Sequence, residues 1–304
     1  MLDVVVALAP VFILILIGWG ARSARILPDE AWGAVNRFGY LVLYPAFLFT
    51  TVAGANLTSA NAPAFLAAAI TGFLIMAAFA FATRFFIRND DPAFTSVFQG
   101  AVRWNGFALL AAADGLYGPG GAAMVALAFG PLVLIVNLIS VGVLARFGAG
   151  QTVSTRAIAA QILANPLILA CAAGLIVNLL GFHDFGVATS TLELLGQAAM
   201  PIALVCVGAG LEFGPLRRNG ALIGLSSALK LIAGPAVLFA CALLYRLDPV
   251  SAAICAGIGS TSTAAASYTL AREMGGDARL MAGIVTATTI LSFLTMPVAI
   301  ALTR

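Results

Sequence analysis

A guanidinium, a carboxamide and a run of hydroxyls stand where polar groups are scarce. Arg103 and Asn105 lie in the stretch Gln99-Gly100-Ala101-Val102-Arg103-Trp104-Asn105-Gly106, and Ser260, Thr261, Ser262 and Thr263 follow Gly257-Ile258-Gly259. Both stretches sit inside long apolar segments, and so does Lys230. Cationic side chains beside amide and hydroxyl donors are the chemistry of anion recognition. Catalysis has no comparable set. The sole histidine, His183, falls in a loop, and a membrane-embedded protease would want a Ser–His pair or two acids at one depth. Cys171, Cys206, Cys241 and Cys255 each lie in an apolar run without a CxxC pair, so neither a metal nor a disulfide is expected. No catalytic residue, metal ligand or cofactor is assigned.

The segments that carry these residues dominate the chain. Of its 304 residues, 62% are hydrophobic and 9% charged, with a mean hydropathy of +1.07. Soluble domains carry about 25% charged residues. This composition excludes a water-soluble enzyme, a nucleic-acid binder and a disordered chain, and leaves an all-α polytopic membrane protein whose first partner is the lipid bilayer. The net charge of +3 comes from scattered arginines and one lysine, which is no nucleic-acid signal. Met1-Leu2-Asp3 lacks the basic start of a cleaved signal peptide.

A helix needs about 20 apolar residues to cross a bilayer. Ten segments qualify, near 4–21, 34–53, 62–83, 93–116, 121–145, 157–180, 189–211, 220–245, 250–273 and 280–302. Threading them alternately puts Arg22, Arg25, Arg84, Arg88, Arg146, Arg156, Arg217, Arg218, Arg272 and Arg279 on one side, against Arg246 and Arg304 on the other. Basic loops stay cytoplasmic, so both termini are expected outside the cytoplasm.

The chain also echoes itself at an offset of about 156 residues. Pro10 matches Pro166, Gly18 matches Gly174, Pro45 matches Pro201 and Gly54 matches Gly210. One residue further on, Asp91-Pro92 matches Asp248-Pro249, and Gly100, Gly118 and Met124 match Gly257, Gly275 and Met281. Residues 1–148 and 149–304 are then two five-helix repeats. An odd helix number inverts the second in the membrane, the plan of secondary transporters.

Helices 4 and 9 occupy equivalent places in the two repeats, and both carry glycine and polar residues at mid-depth. Paired interrupted helices point to a transporter binding site; the alternative is a pair of small-residue packing faces. Arg103 lies roughly 15 Å into helix 4, and Lys230 at a similar depth in helix 8. Asp114 and Glu193 sit too near the surface to neutralise them. A bound anion would, aided by half-helix N-termini near Asn105–Phe107 and Thr263. Against this, Lys230 would serve equally by snorkelling or bonding carbonyls, and Arg103 as a strut across the helix 9 break. Asn137 and Asn165 are mid-membrane amides that either line the cavity or join helices. Gly106 completes the helix 4 break.

The motifs RWNGF (Arg103–Phe107), LYG (Leu116–Gly118), PLVLIVN (Pro131–Asn137), Asn165-Pro166-Leu167, PIALVCVGAGL (Pro201–Leu211), Lys230-Leu231 to Pro235 and YTLAREMGGD (Tyr268–Asp277) span nearly the whole chain. Together they resemble the auxin efflux carrier family, in its compact bacterial branch. The resemblance implies ten helices in two inverted five-helix repeats, broken helices 4 and 9 crossing at the centre, and a scaffold against which a transport part moves as an elevator. It also implies a small organic acid such as malonate or malate as substrate, or an auxin-like acid, with Asn105 matching an asparagine of the substrate site in plant carriers. A bacterial inner-membrane location and a second copy of the chain as partner complete the expectation. The chain departs from the family in carrying Ser262-Thr263-Ala264 where relatives have Pro-Thr-Ala, and in lacking a crossover proline in helix 4. Glycine must make the breaks here. A membrane sensor, channel or enzyme is the alternative.

Overall fold

A computed structural model describes residues 2–55, 62–85, 90–118, 120–149, 164–181, 186–217 and 219–303, without the side chain of Arg217. His183, Arg88, Arg156, Arg218, Arg304 and the first part of the expected sixth span, 157–163, lie outside the described residues.

All regular structure among the described residues is helical. Helix α1 (Leu2–Ser23) is followed by α2 (Asp29–Phe38), which passes through a π turn (Gly39–Leu43) into α3 (Tyr44–Ala53). Next come α4 (Ala62–Ala82), α5 (Asp91–Val102), α6 (Gly106–Leu110), α7 (Ala113–Tyr117) and α8 (Gly121–Phe147). The second half holds α9 (Pro166–Leu180), α10 (Val187–Ala209) and α11 (Gly220–Ala228), which runs through a π turn (Leu229–Ala233) into α12 (Gly234–Leu244). It ends with α13 (Pro249–Ser260), α14 (Ala266–Met274) and α15 (Ala278–Thr303).

Among the described residues, six helical stretches are long and apolar enough to cross a membrane: Leu2–Ser23, Ala62–Phe85, Gly121–Phe147, Val187–Ala209, Gly220–Leu244 and Ala278–Thr303. The other apolar segments are divided or short. Asp29–Ala53 passes through a π turn, the stretches around Arg103 and Ser262 are broken, and Pro166–Leu180 has 15 residues.

The π turns have a local cause. Pro45 and Pro235 each stand two residues past the end of a π turn, and a helix-interior proline lacks an N–H and presses its ring on the carbonyl four residues back. One extra residue in the turn relieves that pressure. The N–H of Tyr44 reaches back to Gly39 O, and that of Gly234 to Leu229 O.

Two groups of helices pack internally. In one, α1 lies on α10 and α3 on α9. A Cβ on Gly18 of α1 would meet Val205 O of α10, and a Cβ on Gly174 of α9 would stand 2.8 Å from Phe49 O of α3. Without lipid-excluded hydrophobic drive, such close backbone approach is what holds membrane helices together. In the other group α4, α5, α11, α12, α13 and α15 surround the two breaks, and α8 packs against both groups.

Candidate anion site at two helix breaks

Helices α5 and α13 are built alike. Each has 12 residues and starts on an aspartate cap followed by a proline in the first turn. Asp90 Oδ1 accepts from the Ala93 N–H, and Asp248 Oδ1 from the N–H groups of Val250 and Ser251, each at 3.0 Å. Such caps satisfy donors that a helix start leaves free. Each helix then stops at an extended residue, Arg103 (φ −72°, ψ 143°) and Thr261 (φ −65°, ψ 154°).

Broken backbone inside an apolar medium needs replacement hydrogen bonds. The two breaks supply them to one another. The Asn105 N–H donates to Ser262 O at 2.9 Å, and Thr263 Oγ1 donates to Gly100 O at 2.6 Å. The Thr263 N–H goes to Thr288 Oγ1 of α15 at 3.2 Å. Ser260 and Thr261 turn their hydroxyls back onto Gly257 O and Ile258 O, at 2.8 and 3.0 Å, closing the last turn of α13. Ser260 to Thr263 are all buried. The next helix, α14, starts at Ala266 with Ala265 as its cap, three residues later than the N-terminus expected near Thr263.

Arg103 is 9% exposed, and its Nε and Nη1 have no hydrogen-bond partner among the described residues. It makes no ion pair there either. Among the described residues no hydrogen bond runs from Arg103 to the carbonyls of the second break, where Ser262 O accepts from the Asn105 N–H instead. Tyr40, in the π turn between α2 and α3, is within electrostatic range of the guanidinium. The Asn105 side chain does not cap α6, and its Nδ2 is likewise buried and unpartnered. Three unpartnered N–H-bearing atoms on Arg103 and Asn105 thus accompany one break. Buried donors of this kind are rare unless something accepts from them.

Gly106 opens α6, where a Cβ would meet the Phe129 ring. An aromatic group surrounds the same place: Trp104 and Phe107 lie 5.4 and 5.1 Å from Phe129, and Tyr44 is 4.5 Å from Phe107.

The remaining expected residues are more scattered. Lys230, in the second π turn, is 2% exposed, and its Nζ sits 5.8 Å from the centre of the Phe73 ring. No ion pair reaches it among the described residues. Phe73 also lies 6.2 Å from Trp104, so an aromatic side chain adjoins both the lysine and the residue after Arg103. Asn165 caps α9, its Oδ1 accepting from the N–H groups of Leu167 and Ile168 at 2.9 and 3.4 Å. Asn137 is half-buried along α8. Neither is brought to the breaks by a hydrogen bond. Asp114 is exposed and accepts from the Ala122 N–H, and Glu193 is exposed on α10.

Three polar groups escaped the sequence reading as site residues. Gln99 is fully buried with both amide atoms unpartnered, and Ser227 Oγ and Thr289 Oγ1 are buried and unpartnered. Their helices α5, α11 and α15 pack on one another. Gln99 was findable as a polar residue one turn before the break at Arg103, whereas Ser227 and Thr289 lie on other helices and come to it only through packing. Asn178 also escaped notice: its Nδ2 lies within hydrogen-bond distance of Val52 O, Ala53 O and Ala55 O at 3.3, 2.8 and 2.6 Å, closing the end of α3.

Comparison with known proteins covers nearly the whole chain. Residues 3–143 and 151–300 match the family model described as "Membrane transport protein". A protein of Rhizobium meliloti (strain 1021) named "Putative malonate transporter" is 27% identical over 303 residues, covering 94% of this chain and 92% of its own length. An "Uncharacterized transporter" of Methanothermobacter thermautotrophicus is 26% identical over 295 residues, covering 94% of each.

Proposed function

Because the chain belongs to the membrane transport protein family, that of the auxin efflux carriers, we propose that it is a secondary transporter of small carboxylates, with malonate or malate as the first candidates. The family and the transporter names of its relatives indicate a multi-pass membrane transporter rather than an enzyme. The observation that carries the substrate class is the buried guanidinium of Arg103, with Nε and Nη1 unpartnered, two residues from the unpartnered side-chain Nδ2 of Asn105 at the meeting of two helix breaks. A carboxylate offers planar acceptors that a guanidinium engages in pairs, and supplies the missing charge. The malonate name of the Rhizobium relative supports the same class.

The proposed architecture has ten spans in two inverted repeats, 1–148 and 149–304. The twin design of α5 and α13 supports it, as do Gly18 and Gly174, which seat equivalent helices on their neighbours. In this reading the group of α1, α3, α9 and α10 is the scaffold, and the helices around the breaks move against it as an elevator. The chain sits in the bacterial inner membrane with both termini outside the cytoplasm. Export follows if nothing is coupled, since an anion leaving a negative interior gains about 2.3 kcal/mol per 100 mV.

Reconstitution tests the function. Liposomes holding the protein should accumulate labelled malonate or malate under an imposed potential, and protein-free liposomes should not. Failure across a panel of mono- and dicarboxylates, with and without a pH gradient, overturns the reading.

A further inference from the structure

A second polar place lies away from the breaks. A cavity of about 1110 Å3 opens where three long apolar helices reach one end: the last turn of α1, the residues after α10 and the start of α15. Trp19, Arg22, Arg25, Glu212, Phe213 and Arg279 are among its lining. Arg22 is already engaged, with Nε on Asp29 Oδ1 at 3.0 Å and Nη1 on Ala209 O at 2.8 Å. Arg25 and Arg279 are exposed and make no ion pair among the described residues. Arg25 stands in a left-handed turn (φ 54°) that ends α1. The acid opposing them is Glu212, exposed, whose backbone N–H is tied to Thr286 Oγ1 at 2.9 Å. With Arg22 and Asp29 neutralising each other, two arginines face one glutamate, and the cavity keeps net positive charge.

Its apolar side is as distinctive. The Trp19 and Phe213 rings meet edge-on at 6.1 Å, yet remain 43% and 46% exposed. Ile26, beside Arg25, is 70% exposed. Exposed aromatics and arginines at the ends of spans mark the level where acyl chains give way to headgroups. Basic recesses between helices at that level take acidic headgroups.

We propose that this cavity binds an anionic phospholipid, its phosphate between Arg25 and Arg279 and its glycerol and upper acyl chain against Trp19 and Phe213. The bound lipid bridges the turn after α1 to the start of α15, whose arginines line the same cavity. A free phosphate ion would share the arginines and leave the aromatic wall bare, which is why the lipid is the better occupant. The proposal is independent of the substrate reading, because its test needs no transport.

The purified protein in neutral detergent is titrated with phosphatidylglycerol, phosphatidylcholine or inorganic phosphate. Thermal stability and lipid retained in native mass spectrometry are read in each. Phosphatidylglycerol should raise the melting temperature by several degrees and remain bound, and the other two should do neither. The double variant Arg25→Gln/Arg279→Gln should lose both effects, and Glu212→Gln should keep them. Should the double variant fail to fold, raising salt from about 0.1 to about 1 M must strip retained phosphatidylglycerol from the wild-type protein. Equal stabilisation by inorganic phosphate, or lipid retention that neither the double variant nor salt reduces, overturns the proposal.

Discussion

The Asn105 N–H donates to the Ser262 carbonyl at 2.9 Å, and these two residues stand 157 positions apart, the offset at which Gly100 matches Gly257. Each break therefore meets the other at its own counterpart. Under the proposed inverted repeat, a contact between counterpart positions is the one expected at the symmetry axis. It also explains how the breaks survive without proline: each lends the other the bond its own helix has given up.

That mutual support predicts a cost for Thr263→Val. The change keeps the shape and removes the hydroxyl that donates to Gly100 O. Interhelical hydrogen bonds in membranes contribute about 0.6 kcal/mol on average and up to about 1.7. Melting in detergent should fall by a few degrees, whereas Thr303→Val, in the last turn of α15 with its hydroxyl bonded only within its own helix, should leave it unchanged.

Gly234 and Gly259 let α12 and α13 touch by backbone alone. A Cβ on Gly259 would stand 2.6 Å from Gly234 O and 2.7 Å from Pro235 N, neither of which can swing aside. Gly259→Ala should destabilise the protein by about 1–3 kcal/mol, the usual cost of overpacking a core. Gly142→Ala, where a Cβ meets nothing within 4 Å, is the control and should be neutral or stabilising in the same melt.

Asn178 holds three carbonyls at the end of α3. Asn178→Leu should therefore speed hydrogen exchange at the amides of Gly54 and Ala55, with exchange in α5 unaltered. Equal protection in variant and wild type would remove the cap from the account.

The proposed topology predicts that a reporter fused after Arg304 behaves as periplasmic. A cytoplasmic signal would refute ten spans with both termini outside, through either the span count or the orientation.

Much of this was legible in the sequence because glycine and polar residues inside apolar segments leave few options. The breaks at Arg103 and Thr261 follow from that logic, and α5 and α13 announce themselves through Asp-Pro starts. Asn165-Pro166 carries the cap-then-proline pattern of a helix start, which makes the capping role of Asn165 readable beforehand. Partnerships between distant helices were not readable. That Phe73 lies against Lys230 and that Asn178 closes α3 each depend on helix rotation, which an almost uniformly apolar helix leaves open. The start of α14 at Ala266 was equally hidden, because Ser262 and Thr263 take up the freed bonds and prolong the break.

The central claim is that Arg103 is a ligand for a carboxylate, and one variant tests it. Calorimetric titration of malonate and thermal melting are measured side by side on wild type and Arg103→Gln. The account predicts that binding is lost or weakened at least tenfold while the melting temperature holds or rises, since an unpaired buried charge costs stability. A large fall in melting temperature, with malonate affinity intact in the folded fraction, would contradict it and return Arg103 to the scaffold.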